Sequence, residues 1–331
     1  MKKVFITGGA GFIGSQMAAR FLKLGWSVTC FDNLILGQRE FVPSEAKFIE
    51  ADLLDLNRVI VEMKGHDLVV HLAANSDISQ GVEKSDVDLK NGTIATFNVL
   101  EAMRKTGVRD MLFASTSALY GEATVKPTPE NYGPLFPISF YGASKLACEG
   151  LITAFAHNCG FRAIAYRFAN IVGPRSTHGA IHDFTGRLLK DPKTLKVLGN
   201  GTQRKSYLHV EDCIDGMLFG YDKFLATPSE GELFHCFNLA SHGVSNVRFL
   251  AETVVKEFAR AMDDGEKFPV PRLEFGESDR GWVGDVPFTW LDGSKLEALG
   301  WKAKLESNAA VERAVREIVA EKLAASRAGV R

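Results

Sequence analysis

The sequence predicts an α/β fold: a doubly wound parallel sheet with a smaller α/β unit at the C-terminal end. Three observations carry that expectation. Through the first half, short apolar runs alternate with segments of helical periodicity, the pattern of repeated βα units. The first unit holds glycines at positions 8, 11 and 14 between its strand and its helix. Near Gly173-Pro174 the alternation gives way to Gly/Pro-containing loops, shorter strands and scattered helices.

Taken in order, Val4 to Ile6 read as a buried strand. The stripe Phe12, Ile13, Met17, Ala18, Phe21 and Leu22 reads as a helix running to a C-cap at Gly25. Ser27 to Phe31 is the next strand, ended by Asp32, and Lys47 to Ala51 the one after. Leu56, Val59, Ile60 and Met63 mark a helix that stops at Gly65. Further strands fall at Asp67 to His71, Asp110 to Ala114 and Arg162 to Tyr166. Helices from about Val87 to Lys105 and from about Ser144 to Asn158 separate them. Beyond the change of character, Val210 to Leu225 reads as a helix, and Leu233 to Leu239 as a strand able to return to the sheet. Val247–Met262 and Asn308–Leu323 are helical by periodicity. The expected division is a dinucleotide-binding domain at 1–175, rejoined by about 207–241, and a substrate-binding domain from 176–206 and 242–331. The cleft between them is the expected substrate site.

Composition narrows the function. The chain has 331 residues, 46% hydrophobic and 24% charged, enough for one large or two moderate domains with ample core. A formal net charge of −1 gives no electrostatic case for nucleic acid or anionic membranes. No apolar run approaches the roughly 18 residues of a membrane-spanning helix, and Val4 to Ile6 is far too short for the apolar part of a signal peptide. The five cysteines (Cys30, Cys148, Cys159, Cys213 and Cys236) lack Cys-x-x-Cys spacing. Reduced core thiols in a cytoplasmic protein are the expectation.

Strand, glycine turn and helix in that order bring a helix N-terminus and its free N–H groups to a pyrophosphate. Gly8, Gly11 and Gly14 let the backbone approach the ligand with no Cβ in the way. Asp32 ends the next strand, where a carboxylate accepts hydrogen bonds from ribose hydroxyls and repels a 2′-phosphate. NAD is therefore expected over NADP. Tyr141 and Lys145 stand at i and i+4 at a helix start, on one face near its positive end. A lysine ammonium there, together with the charge of an oxidised nicotinamide, favours the phenolate, making Tyr141 a proton shuttle, and Lys145 can also hold the nicotinamide ribose. Thr116 ends the preceding strand in Ser115-Thr116-Ser117, which delivers its hydroxyl to the same edge.

These ordered motifs resemble the extended short-chain dehydrogenase/reductase superfamily, in particular NAD-dependent sugar-nucleotide epimerases such as UDP-glucose 4-epimerase. The likeness runs from Thr7 to about Trp301. Besides the residues above it rests on His71-Leu72-Ala73-Ala74, Arg167-Phe168-Ala169-Asn170, Gly173-Pro174-Arg175, Gly199-Asn200-Gly201-Thr202-Gln203 and Tyr207-Leu208-His209-Val210. The resemblance implies a Rossmann-type NAD-binding domain. Phe12, Ile13 and Asn33 would join the glycines and Asp32 at the cofactor. Asp52 and Leu53 would sit at the adenine, Leu72, Ala73 and Ala74 along the nicotinamide-side strand end, and Asn91 would brace that region. Ser115 and Phe168 would stand at the nicotinamide, and Asn170 on the substrate's pyrophosphate side. Thr116, Tyr141 and Lys145 would form the catalytic trio, with Thr116 also touching substrate.

Two departures bear on the reaction. The 4,6-dehydratases resembled here carry a glutamate where this chain has Ala118. A methyl group cannot exchange a proton, so simple oxidation with return of hydride is favoured over loss of water. Family members also often carry arginines where this chain has Lys205 and Trp282; those arginines grip a nucleotide diphosphate as forks. Arg175, Arg204 and Arg280 are candidates to replace them beside Lys205, and Trp282 to stack on a base or sugar or to pack. His178 and His182 have four-residue spacing beside Asp183, but no Cys or further His lies near; no metal is expected, and the two read as substrate contacts or as part of a solvated loop.

The expected function is epimerisation of a nucleotide-diphosphate sugar, most readily at C4, through a transient 4-keto intermediate with NAD regenerated each cycle. The alternatives are a dehydratase or a dehydrogenase/reductase on the same scaffold, and a non-catalytic nucleotide-sugar-binding protein. A homodimer is expected by resemblance, through the helices near Gly92–Lys105 and Ser144–Asn158; Val99, Leu100, Met103, Leu146, Leu151 and Phe155 permit such pairing and permit ordinary packing on the sheet equally well.

Overall fold

Seven parallel strands form one sheet in the computed structural model, which describes residues 1–78, 80–226, 231–263, 267–281 and 284–329. They are β1 (Lys3–Thr7), β2 (Ser27–Asp32), β3 (Lys47–Glu50), β4 (Leu68–His71), β5 (Asp110–Thr116), β6 (Arg162–Phe168) and β7 (Phe234–Leu239). The spatial order is β7-β6-β5-β4-β1-β2-β3. β1 pairs with β2 through Val4↔Val28 and with β4 through Val4↔Leu68. The chain reverses direction across the sheet between β1 and β4, and this opens a crevice at the carboxyl ends of those strands.

Alternation along β1 shows why this sheet is covered on both faces. Val4 and Ile6 point into one buried cluster, with Met17 and Phe21 of helix α1 (Phe12–Lys23). Phe5 points into the other, with Val59 and Met63 of α2 (Leu56–Met63), Val99 and Leu100 of α3 (Ala95–Thr106), and Cys148 and Ile152 of α4 (Phe140–Cys159). Successive side chains of a strand face opposite ways, so an unbroken apolar run must have both faces packed. A third cluster lies beyond residue 171. Phe184 and Leu188 of helix Ala180–Lys190, Leu250 and Phe258 of helix Val247–Met262, and Val311 and Ile318 of helix Ser307–Arg327 build it.

Three local features differ from the expectation. α4 starts at Phe140 rather than Ser144, because the Ser139 hydroxyl accepts from the Gly142 N–H at 3.1 Å and caps it. The helix expected from Val87 is interrupted by a π-helical turn over Leu89–Ile94, a winding often found at functional sites. Gly92 in that turn lies so close to α4 that a Cβ would stand 2.1 Å from the Ser144 Oγ. Val99, Leu100 and Met103 are fully buried against α2 and the sheet, so they are spent within the chain and cannot form a dimer contact. Leu146, Leu151 and Phe155 are partly buried on the same cores.

Candidate active site

A cavity of about 490 Å³ opens at the crevice between β1 and β4, a size suited to a small-molecule ligand. Its floor is the glycine turn. The Gly8 N–H donates to the Phe31 carbonyl at 2.9 Å and the Gly11 N–H to the Gly8 carbonyl at 3.1 Å. A Cβ on Gly14 would lie 2.0 Å from that same Gly8 oxygen, so α1 seats against the turn only with glycine there. No side chain caps α1, and its first N–H groups remain available to an anion. A bare cradle at a helix start, with a carboxylate ending the neighbouring strand, fits the pyrophosphate and ribose of NAD.

At one end of the cavity, Asp32 is tied to the turn. Its Oδ2 accepts from the Ala10 N–H at 3.0 Å and its Oδ1 from the Leu34 N–H at 2.8 Å. Burial raises its carboxyl above the usual range and these backbone bonds pull it back. Asn33 donates to Asp52 at 3.0 Å, and Asn98 holds the Leu53 carbonyl at 2.8 Å. Beneath the middle of the cavity, His71 stands between Thr7 and Thr96 at 2.6 and 2.9 Å. Burial holds its imidazole down to about 3, so it is a neutral strut.

At the other end, β5 and α4 bring Thr116, Tyr141 and Lys145 to one wall. The Thr116 hydroxyl accepts from the Ala118 N–H at 3.1 Å, which leaves its own proton for another partner. Burial pushes the Tyr141 phenol above its ordinary value, and the Thr116 hydroxyl draws it back down. Lys145 donates to the Ala114 carbonyl at 2.6 Å. Burial pulls its ammonium down to about 8, since a low-dielectric site disfavours the charged form. Burial is the largest influence on both groups. Gly142 lets α4 approach the Ala118 carbonyl, where a Cβ would stand 2.7 Å away, so residue 118 lies beside Tyr141.

The cavity is lined by each of Gly8, Gly11, Phe12, Ile13, Gly14, Asp32, Asn33, Asp52, Leu53, Leu72, Ala73, Ala74, Asn91, Ser115, Thr116, Tyr141, Lys145 and Phe168. The other residues expected at substrate are not among its lining. Asn170 lies in a short strand paired with Tyr207–His209 and its amide faces the Ser206 carbonyl. Arg175 donates to the Phe41 carbonyl at 3.2 Å, and the Arg204 guanidinium sits over Phe288. Lys205 pairs with Asp285 at 2.5 Å, and Arg280 with Glu122 at 2.5 Å. Trp282 lies outside the described residues. Asn75, Ser76 and Thr177, which carry no sequence-based assignment, line the cavity, as does His178. The position of Asn75-Ser76 just past a strand end was the available signal. His178 has its Nδ1 3.2 Å from the Thr177 hydroxyl, whereas His182 faces Asp183 at 3.3 Å.

The profile of the NAD dependent epimerase/dehydratase family matches residues 4–240. A UDP-glucose 4-epimerase of Corynebacterium glutamicum is 36% identical over 210 residues, which is 63% of this chain and 63% of that protein. A solved UDP-galactose 4-epimerase superposes with a TM-score of 0.84 at 37% identity, covering 96% of this chain and 99% of its own. The UDP-glucose 4-epimerase of Thermus thermophilus, solved in complex with NAD, gives 0.82 at 27% identity over 96% and 98%. With the sheet order, the glycine cradle and a match over most of its length, the chain belongs to the NAD-dependent epimerase/dehydratase family.

Proposed function

We propose that the protein is an NAD-dependent epimerase of a nucleotide-diphosphate sugar, acting at C4 through a transient 4-keto intermediate. The observation that carries this reading is that Thr116, Tyr141 and Lys145 line the same cavity as the Gly8–Gly14 turn and Asp32. NAD, held by the Gly8–Gly14 turn and Asp32, would supply hydride acceptor and donor chemistry at C4, and the 4-keto sugar turns in the cleft so that its opposite face is reduced. Tyr141 as phenolate takes the C4 hydroxyl proton and gives it back on the return step. Thr116 hydrogen-bonds the same oxygen and stabilises the phenolate. Lys145 braces the ribose side from its anchor on Ala114. Ala118 has no proton to exchange, which disfavours elimination of water. The segments 176–206 and 242–331 form the substrate-binding part, and the protein works in the cytoplasm as a homodimer. Ile94, at the end of the turn before α3, and Phe97 of α3 are exposed apolar residues and the candidates for the pairing face; Phe97→Glu is expected to shift the sedimentation coefficient to that of a monomer.

The test is to incubate the purified protein, with no added cofactor, with a panel of nucleotide sugars and follow products by NMR and mass spectrometry. An isomer of unchanged mass is expected. A product lighter by one water, or net release of NADH, overturns the epimerase reading.

A further inference from the structure

Behind the wall that carries Thr116 and Tyr141 lies a buried polar cluster centred on α4. Glu149 follows Lys145 by one helical turn on the same face, and it is 6% exposed. Its Oε1 accepts from the Ser115 hydroxyl at 2.5 Å and from Arg167 Nε at 3.0 Å, and its Oε2 from Arg167 Nη2 at 2.7 Å. Ser115 precedes Thr116 at the end of β5, and Arg167 precedes Phe168 at the end of β6. Arg167 Nη1 continues to the Tyr120 hydroxyl at 2.8 Å, and Tyr120 donates to Asn238 of β7 at 2.8 Å. One carboxylate thus joins α4 to two strand ends.

A buried ion pair is weak evidence of stability, because desolvation offsets its attraction. What a forked guanidinium–carboxylate pair supplies is direction. Nearer its start α4 has single bonds from Ser144 to the Asp88 carbonyl at 2.7 Å and from Lys145 to the Ala114 carbonyl at 2.6 Å; beyond Glu149 this side packs through the apolar Ile152 and Ala156, whose contacts are non-directional. We propose that the forked Glu149–Arg167 pair is a positioning element of α4, fixing with the single bonds of Ser144 and Lys145 its height and rotation and so the placement of Tyr141 and Lys145 against Thr116. The kinetic consequence rests on the epimerase reading; the geometric one does not.

The decisive variant is the double substitution Glu149→Met/Arg167→Met, which removes both charges together and leaves neither unpaired. Expected are a melting temperature and bound-NAD content close to the parent, and a kcat lower by about 10- to 100-fold at little-changed KM. The Tyr141 phenolate, followed by ultraviolet absorbance against a Tyr141→Phe background, forms at higher pH as Thr116 loses its hold on it. A parent-like kcat and phenolate titration overturn the proposal. So does a fall in activity matched by lost fold or lost NAD with no titration shift. A titration shift in a protein whose parent turns over no nucleotide sugar keeps the positioning role and rejects the epimerase reading. Where the double variant fails to fold, Arg167→Lys keeps the charge but not the fork. The same kcat loss and titration shift are then required, and parent values overturn the proposal.

Discussion

Lys145 donates to the Ala114 carbonyl at 2.6 Å, so α4 is tied through its lysine to the strand that ends in Thr116. The bond keeps a cation inside the protein where burial opposes it. Folded, the ammonium loses its proton near pH 8; unfolded, near 10.5. Between those values the unfolded chain binds the extra proton, so stability rises with pH across that window, and below it the full cost of burial is carried. Lys145→Met is therefore expected to stabilise the fold at pH 7, by up to on the order of 3 kcal/mol. The gain shrinks toward pH 10, and epimerisation is lost. Thermal melts at both pH values check the sign; a less stable variant at pH 7 contradicts it.

Tyr141 carries the proton in the proposed reaction, so Tyr141→Phe should lower kcat by roughly 10²- to 10⁴-fold with NAD still bound. Thr116 counters the effect of burial on the phenol. Thr116→Ala should move the acid limb of the kcat/KM profile to higher pH, because a phenol of higher pKa is deprotonated later. Thr116→Ser should bring it back. An acid limb that stays in place in Thr116→Ala removes Thr116 from this role.

Both oxygens of Asp32 are held by backbone N–H groups, so its charge is fixed at the end of β2. Asp32→Asn removes the charge and turns an amide N–H toward a backbone donor. The ratio of NADP to NAD affinity should rise on the order of tenfold, with weaker NAD binding overall. Calorimetric titration of both nucleotides measures it, and an unchanged ratio counts against Asp32 as the discriminator.

Gly14 and Gly150 separate two roles of glycine. Gly14→Ala puts a methyl group against the Gly8 carbonyl and should yield protein with little bound NAD and a matching loss of activity. Gly150 is exposed in α4 with nothing near its Cβ position. Gly150→Ala should stabilise the helix by about 1 kcal/mol and leave NAD content at the parent level. Nucleotide release on denaturation, read beside thermal melts, tests the pair together.

The sheet and the cofactor end were legible because their signals are local. Val4 to Ile6 and Leu68 to Val70 are continuous apolar runs that can satisfy themselves only as strands packed on both faces. Gly8 to Gly14 and Asp32 form a turn and a strand end within one βα unit and the strand after it. The strand Phe234–Leu239 was legible as a strand able to return, and it pairs with β6. Tyr141 and Lys145 share a face by helical spacing alone, so their meeting needed no long-range knowledge.

What lay beyond the sequence depends on partners distant along the chain. Arg175, Arg204, Lys205 and Arg280 are cations, and a cation is indifferent to which anion or carbonyl it meets until the fold supplies one. Here the Phe41 carbonyl, the Phe288 ring, Asp285 and Glu122 did so. Glu149 and Arg167 read in isolation as ordinary charges, and only the packing of α4 on β5 and β6 buries them face to face. Burial raises the Tyr141 phenol and lowers the Lys145 ammonium, effects that helical spacing does not reveal. Sequence alone determined the strands, the glycine cradle and the residue types at the site, because those follow from short-range geometry and apolar periodicity. Tertiary structure alone decided which charges are paired, which are buried and which protonation states the site favours, because electrostatic energy depends on dielectric surroundings and distances that only the folded chain sets.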